Sequence, residues 1–185
     1  MFRGWLASSD LKPYNSFGNG SAMRVSPVAW AYDDEKTVLE QASRSAEVTH
    51  NHPEGIKGAQ SVALAVFLAR NGESKEAIRS RIEGELDYDL QRTVDKIKPG
   101  YSFDVTCQGS VPESIIAFLD CEDFEGAVRN AIWLGGDADT QACIAGSIAE
   151  AFYGGVPAPI QFEVRTHLDA ELLAVVDEFR TRFPK

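Results

Sequence analysis

The sequence predicts an all-α fold, a single-domain bundle of about eight helices, on three observations. From residue 33 onward the apolar residues recur at three- and four-residue spacing, the period of an amphipathic helix. No stretch sustains the two-residue alternation of a half-buried strand. Near the C-terminal end, Ala142, Ala145, Gly146 and Ala149 put small residues on one helical face, which lets neighbouring backbones approach closely.

Taken in order, residues 1–32 are rich in Gly, Ser, Asn and Pro and read as irregular. Asp33 or Asp34 caps a first helix bearing Val38, Leu39, Ala42 and Ala46. Thr49-His50-Asn51-His52-Pro53 interrupts it. A second helix turns Ile56, Ala59, Ala63, Val66 and Phe67 inward and stops at Gly72. Ser74 opens a third, with Ala77, Ile78, Arg81 and Ile82. Leu86, Leu90, Val94 and Ile97 mark a fourth, ended by Pro99-Gly100, and residues 101–109 read as irregular. Ser110-Val111-Pro112-Glu113 fits a capping box for a helix through Phe118. Asp123 caps the next, with Phe124, Ala127, Val128, Ala131 and Ile132 inward, and Gly135-Gly136 ends it. Asp139 or Thr140 opens a small-faced helix to Tyr153, read as the centre of the bundle. A last amphipathic helix carries Leu168, Leu172, Val176, Phe179 and Phe183. No repeat, low-complexity stretch or linker divides the chain, so residues 1–185 read as one domain.

Composition narrows the functional classes. The 185 residues are 44% hydrophobic and 25% charged, the balance of a soluble globular chain with a real core. A net charge of -10 without a basic stripe repels a phosphate backbone, so nucleic acid is not an expected partner. No apolar run approaches the ~20 residues of a membrane-spanning helix, and the Met1-Phe2-Arg3-Gly4-Trp5 start has no signal pattern. Cys107, Cys121 and Cys143 are odd in number and lack CxxC spacing. They read as buried free thiols of a cytoplasmic protein, not as a disulfide framework or a zinc site. Trp5, Trp30 and Trp133 read as core.

The chemistry concentrates in Gly135-Gly136-Asp137-Ala138-Asp139-Thr140. Asp137 and Asp139 offer carboxylates and Thr140 a hydroxyl, hard oxygen donors of the kind magnesium takes. The two glycines permit a tight backbone path before them, and the helix behind holds the ligands rigid. The plain alternative makes Asp139 an N-cap and leaves Asp137 solvated. Three side chains are too few for a metal pair, so water, substrate or other carboxylates must complete it. Asp33-Asp34-Glu35 reads as a helix start. His50 and His52 lack a third partner for zinc, and the helical pattern does not support a His-Asn-His nuclease. Gly18-Asn19-Gly20-Ser21-Ala22-Met23-Arg24 is either an ordinary turn or a loop whose backbone amides cradle phosphate.

Together, the Gly18–Arg24 stretch, Thr49–Pro53 and Gly135–Thr140 resemble, in order and spacing, three motifs of the ADP-ribosylglycohydrolases, the dinitrogenase-reductase-activating-glycohydrolase-like enzymes. The resemblance covers nearly the whole chain and implies an all-α fold. It implies removal of ADP-ribose from modified side chains or related conjugates, using two magnesium ions or sometimes manganese. Asp137, Asp139 and Thr140 match half of the family's metal ligands. Gly18, Asn19, Gly20 and Ser21 match the segment lining pyrophosphate and ribose. His50 matches a histidine near the ligand, and Tyr101 an aromatic residue near the adenosine end. The family's Thr-Asp-Asp run and acidic catalytic residues have no counterpart here, and Asp33-Asp34 follows the glycine-rich motif instead of preceding it. The chain therefore corresponds to the family's C-terminal two-thirds, and its catalytic residue is unassigned. The expected partners are an ADP-ribosylated protein or conjugate and, to cover helix faces left open, a second copy in a homo-oligomer or a complementing N-terminal chain. An inactive module that only binds ADP-ribose is the alternative.

Overall fold

The computed structural model describes residues 2–184. The elements are α1 (Phe2–Leu6), α2 (Gly20–Met23), α3 (Ser26–Ala31), α4 (Glu35–Glu47), α5 (Pro53–Arg70) and α6 (Lys75–Leu86). They continue with α7 (Val94–Ile97), which runs into a 3-10 turn at Lys98–Gly100, then α8 (Cys107–Leu119), α9 (Phe124–Leu134), α10 (Ala138–Phe152), α11 (Ala158–Thr166) and α12 (Ala170–Arg182). Among the described residues the only extended pairing is an antiparallel bridge between Gly18 and Thr106. The fold is all-α.

Capping chemistry sets several starts. Asp34 accepts from the Thr37 amide, Ser74 from Ala77, Asp123 from Gly126 and Asp169 from Leu172. His52 caps α5 by accepting from the Glu54 amide, with Pro53 at the first helical position where no amide is needed. Asp123→Ala is expected to cost about 1 kcal/mol of stability, read as a lower urea midpoint at unchanged slope.

The core is built on two helices. Ser61 through Ala69 are buried without a break, so α5 is apolar all round and runs through the middle of the bundle. It packs against α2, α3, α4, α6, α8 and α10. The small-faced α10 lies beside it, against α8 and α9, with Ala145, Gly146 and Ala149 buried. The expected central position of α10 is thus shared, and α5 is the more enclosed of the two.

Four local expectations are corrected. Residues 1–32 are not wholly irregular, since three short helices form there. Leu86 to Ile97 is not one helix. Asp87 adopts a left-handed conformation (φ 51°) that ends α6, and helix resumes only at Val94. Helix α8 starts at Cys107, not Ser110, because Thr106 caps it by accepting from the Gly109 amide, leaving Pro112 inside the helix. The last helix is two, with Leu168 in the turn between α11 and α12. These two stand off α3, α9 and α10 across an apolar groove of about 800 Å³, and none of their residues is buried.

Among the tryptophans, Trp133 is 60% exposed, with the Lys98 ammonium 5.2 Å from its ring centre. Ile132 is exposed too, because Ala127, Ala131 and Leu134 set the buried stripe of α9 and Ile132 lies a quarter turn off it. Trp5 is half-buried and donates to the Lys12 carbonyl, while Trp30 packs at the edge of the core. Cys107 and Cys121 are buried, whereas Cys143 is exposed, its thiol directed at the Met23 carbonyl. All three thiols are free. Among the described residues no helix is long and apolar enough to cross a membrane.

Candidate functional site

The glycine-rich segment is anchored before it enters α2. The Asn19 amide donates to the Val105 carbonyl at 2.8 Å, and the Cys107 amide donates to Phe17 at 2.8 Å. Residues 17–19 therefore run antiparallel to residues 105–107, the stretch that leads into α8. The amide of Gly18 donates to Ser16 Oγ, and Cys107 Sγ donates to the Gly18 carbonyl at 3.1 Å.

Asn19 then reaches across the bundle. Its Nδ2 donates to Asp137 Oδ2 at 2.7 Å and to Ser110 Oγ at 3.1 Å. One buried carboxamide thus joins the start of α2, the start of α8 and the start of α10. Asn19 occupies the N-cap position of α2 yet makes no side-chain cap bond, because its side chain is committed to this crossing.

Asp137 sits at the N-cap position of α10, and it too makes no side-chain cap bond. Its Oδ1 has no partner among the described residues. Asp139 is exposed in the first turn, and its Oδ1 accepts from the Thr140 amide at 2.9 Å. Thr140 is buried, its hydroxyl making only a long 3.9 Å contact to Met23 Sδ. Neither carboxylate is therefore consumed by capping in the usual sense, and both keep free oxygens. This donor set fits a hard divalent cation in type. Among the described residues no group of three or more His, Cys, Asp or Glu side chains is assembled to hold a metal.

The loop carrying Asp137 is shaped by Gly136. Its φ of 71° is a conformation that disfavours a side chain, and a Cβ there would lie 2.9 Å from Tyr101 Cε1 and 3.1 Å from the Ser102 carbonyl. Tyr101 thus packs directly beneath the metal-type loop. Its hydroxyl donates to the Gly109 carbonyl at 3.0 Å, and burial pushes its pKa up, so it stays protonated.

His50 lies on the other side of the glycine-rich segment. Its Nε2 is 3.6 Å from where a Cβ on Gly18 would stand and 3.3 Å from one on Gly20. Its Nδ1 is 2.7 Å from the Thr49 hydroxyl, and Arg24 donates to that same hydroxyl at 3.3 Å and to the Gly20 carbonyl at 3.1 Å. Burial first, and the Arg24 charge second, push the His50 pKa down to about 4, so the ring is neutral near pH 7. Because the folded pKa lies below the unfolded 6.5, the unfolded chain binds the extra proton between these values. This contribution to stability is full above pH 6.5 and is lost as pH falls from 6.5 towards 4. His50→Gln is expected to flatten that part of a stability-against-pH curve measured by urea denaturation.

Gly18, Asn19, Gly20, His50, Tyr101, Asp137 and the adjoining Asp139 and Thr140 are thus gathered at one place. Ser21 differs in direction, because its buried hydroxyl donates inward to the Gly55 carbonyl at 2.7 Å. Ser110, Thr106 and Val105, which anchor Asn19 and its neighbours, fall in stretches the sequence alone assigns to a cap or to irregular chain. Gln141, fully buried against Gly136 with both side-chain polar atoms unpartnered, was also not signalled.

Comparison with known proteins adds independent support. The family model described as ADP-ribosylglycohydrolase matches residues 2–184. The chain is 32% identical over 206 residues to "ADP-ribosylhydrolase ARH3" of Homo sapiens, covering 86% of this chain and 57% of that protein. It is 28% identical over 195 residues to "ADP-ribosylarginine hydrolase Tri1" of Pseudomonas putida, covering 98% of this chain and 50% of that one. A solved structure titled "ADP-ribosylglycohydrolase-related protein complex" superposes with a TM-score of 0.67 at 29% identity, over 84% of this chain and 58% of its own. The chain therefore spans about half the length of these curated relatives. With its all-α fold and its three assembled motifs, the chain belongs to the ADP-ribosylglycohydrolase family.

Proposed function

We propose that this chain binds ADP-ribose between the Gly18–Ser21 segment and the Asp137–Thr140 loop and serves hydrolysis of the bond between ADP-ribose and a modified side chain or conjugate. The observation that carries this reading is the 2.7 Å contact of Asn19 with Asp137, which makes the two motifs one surface although 118 residues separate them. In this reading Asp137, Asp139 and Thr140 hold magnesium, or manganese in its place. When bound, the cation orients ribose hydroxyls and makes a water more acidic. Breaking the bond at the ribose anomeric carbon passes through an oxocarbenium-like state. Asn19 orients Asp137, His50 and the glycines line the ligand, and Tyr101 packs beneath the loop. The two aspartates serve as ligands, so the general acid or base lies elsewhere and is not assigned.

The test is release of free ADP-ribose from ADP-ribosylated arginine and serine peptides with magnesium present, followed by chromatography. Turnover that chelation abolishes supports the reading. A second reading is favoured by the two carboxylates alone at the metal-type loop: a binding module, or one half of an enzyme completed by another chain. Folded protein that binds ADP-ribose without turnover, alone or as a homo-oligomer, supports it. Turnover regained on adding a separate chain that carries the family's Thr-Asp-Asp run identifies the split form.

A further inference from the structure

Arg24, Thr49 and His50 form one hydrogen-bonded chain beside the glycine-rich segment. We propose that Arg24 and Thr49 are positioning residues that lock the His50 ring in the tautomer protonated on Nε2, so that it presents a hydrogen-bond donor to an oxygen acceptor lying along Gly18–Gly20. The choice of acceptor, a phosphate or ribose oxygen, rests on the ADP-ribose reading; the tautomer does not.

The Arg24 guanidinium can only donate. It donates from Nη2 to the Ser45 carbonyl at 3.0 Å and to Thr49 Oγ1 at 3.3 Å, and from Nη1 to the Gly20 carbonyl at 3.1 Å. Thr49 is 3% exposed, and its hydroxyl has no further partner among the described residues beyond His50 Nδ1 at 2.7 Å. A hydrogen on Nδ1 would give Thr49 Oγ1 two donors and leave its own hydrogen without an acceptor. An orphaned buried donor is costly. The arrangement that satisfies Arg24, Thr49 and Nδ1 together has Arg24 donating to Thr49 and Thr49 donating to a bare Nδ1. In a neutral ring the proton then stands on Nε2.

Nε2 has no acceptor among the described residues. It faces the two positions where a side chain would cover it, and both are glycine. The absence of side chains at Gly18 and Gly20 thus keeps a fixed donor uncovered. The donor cannot turn into an acceptor, so the site favours ligands with oxygen acceptors over those that offer only donors.

The experiment uses the full chain labelled with ¹⁵N-histidine, with His50 assigned among the three histidines by comparison with His50→Gln. At pH 7 the His50 Nε2 resonance should be pyrrole-like and coupled to hydrogen, and Nδ1 pyridine-like. Thr49→Val should mix the tautomers and weaken ADP-ribose binding about tenfold by calorimetry, the loss of one good hydrogen bond. Thr49→Ser should restore both. A wild-type ring protonated on Nδ1, or a Thr49→Val ring with unchanged tautomer, overturns the proposal. Should wild-type protein show the predicted tautomer and no affinity for ADP-ribose, the lock stands and the ligand reading falls. The wild-type spectrum decides the tautomer even if Thr49→Val does not fold.

Discussion

Asp137→Ala is expected to weaken Mn²⁺ or Mg²⁺ binding by at least about tenfold while the chain stays folded, since removing even an outer partner of a metal ligand commonly costs 10–100-fold. The two effects separate because the carboxylate does little structural work. It caps no helical amide, and its one partner, Asn19 Nδ2, retains Ser110 Oγ when Asp137 is gone. Asp137→Asn is the sharper control. It keeps the shape but removes the charge, so its affinity should fall nearly as far as that of the alanine variant. Asp139→Ala should behave like Asp137→Ala. Manganese titration followed by electron paramagnetic resonance reads the affinity, and urea denaturation reads the fold. Unchanged affinity in both aspartate variants would remove the metal from this loop.

Gly58→Val is expected to produce the largest loss of stability, about 3 kcal/mol or more, from overpacking where α5 crosses α8. A Cβ at Gly58 would stand 2.5 Å from Cys107 Sγ, 2.9 Å from Cys107 Cβ and 3.4 Å from Val111 Cγ2, all inside the core. Neither helix can yield cheaply, because Ser61 to Ala69 are buried continuously and α8 is buried from Ser110 to Leu119. The clash also reaches the site. Cys107 Sγ donates to the Gly18 carbonyl and lies 3.6 Å from Ser21 Oγ, so displacing it shifts the glycine-rich segment. Gly58→Ala should therefore lower both the urea midpoint and ADP-ribose affinity. Adding Cys107→Ala should recover part of the stability, because it removes the sulfur but not the Cβ contact. Full additivity of the two changes would contradict this picture.

How far such features can be read from the sequence depends on the kind of physics behind them. Helices α4, α6 and α9 are legible because apolar spacing and a capping side chain agree at each start, and α5 because its apolar run is long and ends at Gly72. The stretch from Leu86 to Ile97 misleads because its apolar residues keep helical spacing while side chains replace the backbone bonds. Glu83 accepts from the Leu90 amide, and Asp120 from the Val94 amide. At α8, Pro112 argues for a helix start nearby, yet Ser110 Oγ turns back to the Thr106 carbonyl and the helix begins a turn earlier. Helix α2 is not legible in the sequence because Asn19 withholds its side chain from capping and directs it to Ser110 and Asp137. A local rule fails there at a residue the candidate site uses, which is where such failures are expected. The chemistry of the site, its carboxylates, glycines and histidine, is visible in the chain. Its assembly is not, because the contacts that make one surface of it, from Asn19 to Asp137 and from Tyr101 to Gly136, join segments far apart in sequence.

The most direct test of that surface is calorimetric titration of the folded chain with ADP-ribose, in the presence and absence of magnesium. Saturable binding at one site is expected, tightened by magnesium, with the magnesium effect lost in Asp137→Ala and binding weakened in Thr49→Val. Absence of binding by folded protein, or binding indifferent to magnesium and to both substitutions, would contradict it.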